Sequence, residues 1–221
     1  MFRVKIILLV AAAGLLYWGF QEWRVSSGAS AEPEAVQLAE IEAGKTFDNN
    51  HVKFGPHVAV YGASVYEYSQ SKYDRSSPND STRVSHCFYP VLAATHPFVT
   101  AIDALEEQYP EGIPDEVEFP DISNFAVLVK TKRFSTIGSI PDGLAEEDAV
   151  QGLVINRISS LDKDEKRLIN ENFPGVDTHK LWILGEGRKP ASIVFSFGIL
   201  GAGALLGLLG LGWIVAGFAS S

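Results

Sequence analysis

The chain has 221 residues, with 27 acidic and 18 basic side chains and a net charge of −9. That balance repels phosphate backbones and argues against nucleic acid as a partner. A single cysteine, Cys87, excludes an intramolecular disulfide and a cysteine-based zinc site. Two apolar ends leave roughly 165 residues between them, enough for one domain with its own core.

Residues 1–24 open with Arg3 and Lys5 and run apolar from Ile6 to Phe20. A cleaved signal peptide has the same basic start, and Ala29-Ser30-Ala31 has the form of a cleavage site. Glu22, Trp23 and Arg24 intervene, however, and Tyr17, Trp18 and Trp23 suit an interfacial aromatic belt. The segment is therefore expected to stay in place as a transmembrane anchor. Residues 25–50 read as a membrane-proximal helix and linker. Ser30 is the cap, Pro33 lies in the first turn, Val36, Leu38, Ala39 and Ile41 supply contacts, and Gly44 is the stop.

From His51 the rhythm changes to β-branched and aromatic residues. Strands are expected at 51–54 and 57–68, then a polar loop at 69–82 and a further strand at 83–93. Residues 98–105 fit strand or helix equally. Residues 106–121 hold seven acids, no base and three prolines, and read as a solvated loop without regular structure rather than a calcium site. Strands follow at 124–134 and 148–158, separated by the turn signal Ile140-Pro141-Asp142-Gly143. A helix then starts at Ser160 or Asp162, with Asp162 and Glu165 in capping-box spacing, and ends at Asn172-Phe173-Pro174-Gly175. A last strand is expected at 180–184. Many short strands and no strand–helix–strand alternation predict an α+β domain over 51–190. Its mainly antiparallel sheet or partial β-barrel lies between two transmembrane helices.

Residues 191–221 carry no charged side chain and are long enough to span a bilayer as a helix. Within them Gly203-Ala-Leu-Leu-Gly207 has GxxxG spacing, where small residues let helices approach closely. The partner helix is either the first anchor or that of another protein or a second copy. Arg188 and Lys189, just before this span, are placed at the membrane interface together with Trp18 and Trp23. The basic amino end directs the middle domain outward. Arg188 and Lys189 argue the other way, but the first helix usually dominates. The expectation is an integral protein of a bacterial inner membrane with its domain extracytoplasmic.

His86, Cys87 and His96 are the candidates for metal or haem binding, because imidazole and thiolate are the side chains such groups take. On a strand, however, His86 and Cys87 point to opposite faces. The structural reading, with no metal and no cofactor, is the one adopted. No nucleophile elbow, phosphate-binding loop, dinucleotide fingerprint or zinc-protease motif is present.

Three segments carry a resemblance: Gln151-Gly-Leu-Val-Ile-Asn156, Leu161 to Gly175, and Trp182-Ile-Leu-Gly-Glu-Gly-Arg-Lys-Pro190. With the entry at 33–52 they resemble a group of uncharacterised bacterial two-helix membrane proteins, which implies architecture and no activity. In layout the chain is also similar to the surfeit-locus family of cytochrome oxidase assembly factors, although that family's Thr-Trp signature is absent. The functional expectation is a non-enzymatic integral membrane protein whose juxtamembrane domain binds or helps assemble a membrane protein partner. The alternative is a haem- or metal-handling protein using His86, Cys87 and His96.

Overall fold

The computed structural model describes residues 2–68, 77–114, 116–122, 124–156, 161–177 and 180–219, which form two compact units. One comprises residues 1–31 with 189–221, the other residues 32–188. Most of the loop expected at 69–82 and the alternative cap Ser160 lie outside the described residues.

The first unit is a helical pair, α1 (Phe2–Ser27) and α5 (Ile193–Ala219). Each contains a stretch long and apolar enough to cross a membrane, Ile6–Arg24 and Val194–Trp213. The helices run antiparallel, as the facing positions show. Gly19 meets Ile199 and Leu200, Gly203 meets Leu15 and Leu16, Gly207 meets Ala12, and Gly210 meets Leu8 and Leu9. On α5 the seam therefore runs through Ser196, Leu200, Gly203, Gly207 and Gly210, in steps of four and three. That average of 3.5 is the repeat of a left-handed helix pair. Glycine is required at its tightest points: a Cβ on Gly19 would sit 2.9 Å from Leu200 Cγ, and one on Gly203 3.1 Å from the Leu16 backbone nitrogen. Gly198, Gly201 and Gly212 face open space.

The second unit is built on a nine-stranded, curled open sheet, a half-barrel. Its strands are β1 (Glu34–Val36), β2 (His51–Phe54), β3 (His57–Val60), β4 (Val65–Tyr68), β5 (Val84–Leu92), β6 (Val127–Thr131), β7 (Leu144–Glu147), β8 (Val150–Val154) and β9 (Trp182–Glu186). The order is β1-β2-β8-β9-β6-β5-β3-β7, with β4 beside β5. Pairing is antiparallel except at β1–β2 and β6–β9. Among the described residues three α-helices accompany the sheet: α2 (Leu38–Glu42), α3 (Pro97–Gln108) and α4 (Lys163–Asn172).

Alternation along the strands sorts the apolar residues into two cores. One face carries Phe54, Cys87, Tyr89, Val91, Val127, Val129 and Leu184, joined by Leu38 and Ile41 of α2. The other carries Phe88, Leu92, Leu128 and Ile183, covered by Val99 of α3 and by Ile169 and Phe173 at α4. Both faces of β5 and β6 are buried, which is why these strands read as nearly continuous apolar runs. α4 begins where its cap predicts: the Asp162 side chain accepts from Glu165 N at 2.8 Å, and Glu165 accepts from Asp162 N at 3.1 Å.

Several expectations are corrected. Within 25–50 the helix is shorter than expected, Leu38–Glu42, and is preceded by β1, which pairs with β2; the compact unit takes in residues from Glu32 onward. The strand expected at 57–68 is broken by a 3-10 turn at Tyr61–Ala63, opposite Pro90 of β5, which has no N–H to donate. The segment 98–105 is helical, with Pro97 in the first turn, and its last turn includes Glu106 and Glu107. The edge strand β7 was not anticipated, since Leu-Ala-Glu-Glu has little strand propensity.

Candidate functional site

Three polar clusters stand out, all within the sheet domain. The first lies on the face that carries Tyr89 and is centred on Arg133, just beyond β6. Its guanidinium donates to the Tyr61 hydroxyl and, at 3.0 Å, to Glu147, and lies 3.6 Å from Glu186. Tyr61 also donates to Glu147, and His57 Nε2 stands 3.7 Å from the other Glu147 oxygen. Burial tends to raise the Glu147 carboxyl, but hydrogen bonds from Tyr61 and Arg133 outweigh it and hold the group below the usual carboxylate range. Burial with the Glu147 hydrogen bond pushes Tyr61 up to about 12. The cluster ties Tyr61 of the 3-10 turn and the segment just after β6 to β7 and β9 through fixed charges. Its arrangement is that of a structural clasp.

The second cluster sits on the opposite face, where β4 and β5 pass beside α4. Glu67 and His86 are direct cross-strand partners, and His86 Nδ1 lies 3.3 Å from Glu67. His86 Nε2 is buried without a hydrogen bond, 3.9 Å from Glu165, whose carboxylate is held by Lys130. Burial and the neighbouring Lys130 charge lower the His86 pKa, so the imidazole is neutral at pH 7. Beside it opens a cavity of about 300 Å³ lined by Tyr66, Glu67, Tyr68, His86, α4 residues Asp164, Glu165, Arg167 and Leu168, and Glu171. Asp164 pairs with Arg167 at 3.2 Å and Glu165 with Lys130, which leaves Glu67 and Glu171 without a lysine or arginine partner among the described residues. An acidic, aromatic-walled cavity suits a cationic group. The third cluster, a basic cavity between β6 and β9, is taken up below.

The metal candidates do not converge. His86 faces α4, with its ring edge-on to Phe88 at 5.1 Å, while Cys87 belongs to the core on the other face. His96 caps α3, accepting from Phe98 N at 3.2 Å, and contacts the Asn124 carbonyl. Asn124 precedes by seven residues the Thr131 that pairs with Cys87, a separation of about 20 Å along the strand direction. Burial raises the Cys87 thiol to about 11, so it is not a thiolate near neutral pH. Among the described residues no group of three or more His, Cys, Asp or Glu side chains could hold a metal ion.

The helix residues behave differently. Gly203 and Gly207 lie on the seam with α1, and Trp18 meets Phe195 edge-on at 6.1 Å. Trp23 packs on Phe20 at 5.7 Å, and Arg188 and Lys189 are exposed. The sequence reading missed Glu147 and Glu186 and their meeting with Arg133. Their one visible signal is parity: Glu186 shares the face of Leu184 and so points into a core. Comparison of the chain with protein-family models, curated proteins and solved structures gave no match.

Proposed function

We propose that the chain is a non-enzymatic integral membrane protein. In this reading α1 and α5 cross the bilayer as an antiparallel pair, and the half-barrel domain binds or helps assemble a membrane protein partner on the extracytoplasmic side. The observation that carries the membrane assignment is the outer surface of the pair. Val194 is 82% exposed, Leu208 67%, Val10 66% and Ile7 65%, an apolar surface that water does not tolerate and lipid covers. The fit of α1 against α5 supports a retained anchor over a removed signal peptide. Gly19 and Ala12 are shaped to α5, which would serve nothing if α1 were cleaved away. An antiparallel pair also brings the start of α1 and the end of α5 to one side of the membrane. The basic amino end then makes that side the cytoplasm.

Partner recognition is assigned to the cavity beside His86. Surplus carboxylates at Glu67 and Glu171, with Tyr66 and Tyr68 beside them, suit a basic segment of the partner. Photo-crosslinking from position 68 of the full chain in native membranes tests this. A discrete adduct, lost in the Glu67→Lys/Glu171→Lys variant while the protein stays folded in the membrane, supports the reading. An adduct indifferent to both charges, or none, removes this cavity as the docking site.

A further inference from the structure

The third cluster lies at the carboxyl ends of the parallel neighbours β6 and β9. There a cavity of about 440 Å³ is lined by Lys130, Lys132, Ile155, Gly185, Glu186, Gly187 and Arg188. Lys130 and Lys132 lie two apart at the end of β6 and so share one side, and Lys130 stands opposite Gly185 in the register. Two glycines make the space. Gly187 turns the chain with φ of +69°, and Arg188 N bonds back to the Gly185 carbonyl at 3.3 Å. Arg188 Cβ then lies 3.8 Å from the place a Cβ on Gly185 would take, so the Arg188 side chain starts directly above the glycine. The charges are unevenly spent. Lys130 holds Glu165, and Glu186 has one oxygen 3.6 Å from Arg133. Lys132 and Arg188 are exposed and have no ion-pair partner among the described residues. Two uncompensated cations at one cavity stand out on a chain with nine more acids than bases.

We infer that this cavity binds a phosphate group, a phosphomonoester or phosphodiester head, with Arg188 as the bidentate donor and Lys132 as a point charge. With no side chain at Gly185 or Gly187, an anion can come close to the neighbouring cations. Only Lys189, Pro190, Ala191 and Ser192 separate Arg188 from the first residue of α5. Insofar as the source is a lipid headgroup, the inference rests on the membrane reading above; a free phosphate compound presents the same chemistry.

Titration calorimetry of the full chain in neutral, phosphate-free maltoside micelles tests it. Inorganic phosphate and dihexanoyl phosphatidylglycerol are the separate titrants. Saturable one-site binding is expected, weakened about tenfold or more by Lys132→Ala/Arg188→Ala and unaffected by Lys163→Ala, which lies outside the cavity. Tighter binding of the lipid identifies a headgroup site, and equal or preferential binding of inorganic phosphate identifies a soluble phosphate. No saturable binding of either titrant, or full affinity in the double variant, overturns the inference. Alkaline-carbonate extraction of wild-type membranes separates the two readings. Release into the supernatant defeats the membrane assignment and the lipid source with it. Retention without phosphate binding defeats the phosphate site alone.

Discussion

Replacing Gly203 by leucine perturbs the helix pair where α5 packs against the backbone of α1. A Cβ added there would stand 3.0 Å from Leu16 Cγ, 3.1 Å from the Leu16 backbone nitrogen and 3.2 Å from Leu15 Cβ. Favourable contact between non-bonded heavy atoms begins near about 3.5 Å. Leucine side chains can rotate away, but a backbone nitrogen cannot, so even alanine pushes α1 back by a few tenths of an ångström. Leucine adds three more carbons along the same direction and forces the helices apart or out of register. Overpacking of this kind costs about 1–3 kcal/mol. The neighbouring glycines supply internal controls. Gly207 faces Ala12 Cβ at 3.7 Å, ordinary contact, so Gly207→Ala is expected to be neutral, while Gly198→Leu meets open space and costs nothing. Unfolding of the full chain in micelles by graded addition of dodecyl sulfate, followed by circular dichroism, ranks the variants. Gly203→Leu matching the wild type, or Gly198→Leu failing equally, would refute the seam.

The clasp gives a pH test. Glu147 has a depressed carboxyl, so its stabilisation is complete above the unfolded value of about 4.3 and is lost as pH falls through the lower folded value. Arg133→Met should cost about 1–3 kcal/mol, the low end for a broken ion pair because Arg133 is 41% exposed. The variant removes the Arg133 contributions that hold Glu147 down and leaves the Tyr61 hydrogen bond, so the acid loss seen in thermal melts should shrink; an unchanged profile would clear Arg133 of this role. His86, also depressed, binds its proton more readily unfolded. Stability should be full above about pH 6.5 and erode below it, and His86→Gln should flatten that part of the melting-temperature profile. Finally, a Cβ on Gly152 would lie 2.0 Å from the Gly185 carbonyl oxygen, so Gly152→Ala should break the β8–β9 pairing at a cost of about 3 kcal/mol. Near-wild-type urea stability would contradict that contact.

Much of the fold was readable because the periodicities are strong. The span 51–54 matches β2, Asp162 and Glu165 announce α4, and the opposed faces of His86 and Cys87 follow from strand parity alone. Other elements were hidden for identifiable reasons. Phe98, Val99, Ile102 and Leu105 fit a helix face, but in so short a span their branched residues also fit a strand, and a histidine cap gives no warning. β1 is three residues long and was masked by a cap-and-proline signal that belongs to a loop entry. The break at Tyr61–Ala63 depends on Pro90 and on Gly62, whose amide bonds Gly143 some eighty residues away. The polar clusters are harder still. Tyr61, Arg133, Glu147 and Glu186 meet only because β3, β6, β7 and β9 are brought together, and no local spacing encodes that. The tempting cluster of His86, Cys87 and His96 was close in sequence and is dispersed by the same sheet.

The central claim is that α1 and α5 of one chain stay in the membrane and pair along the glycine seam. A cysteine pair reads this directly, since a Cβ on Gly207 would lie 3.7 Å from Ala12 Cβ, within the range a disulfide spans. In an Ala12→Cys/Gly207→Cys chain that also carries Cys87→Ser, oxidation of isolated membranes should close an intramolecular bond, seen as a faster-migrating monomer that retains its amino end. Disulfide-linked dimers in its place, or a mature chain lacking residues 1–31, would contradict the account.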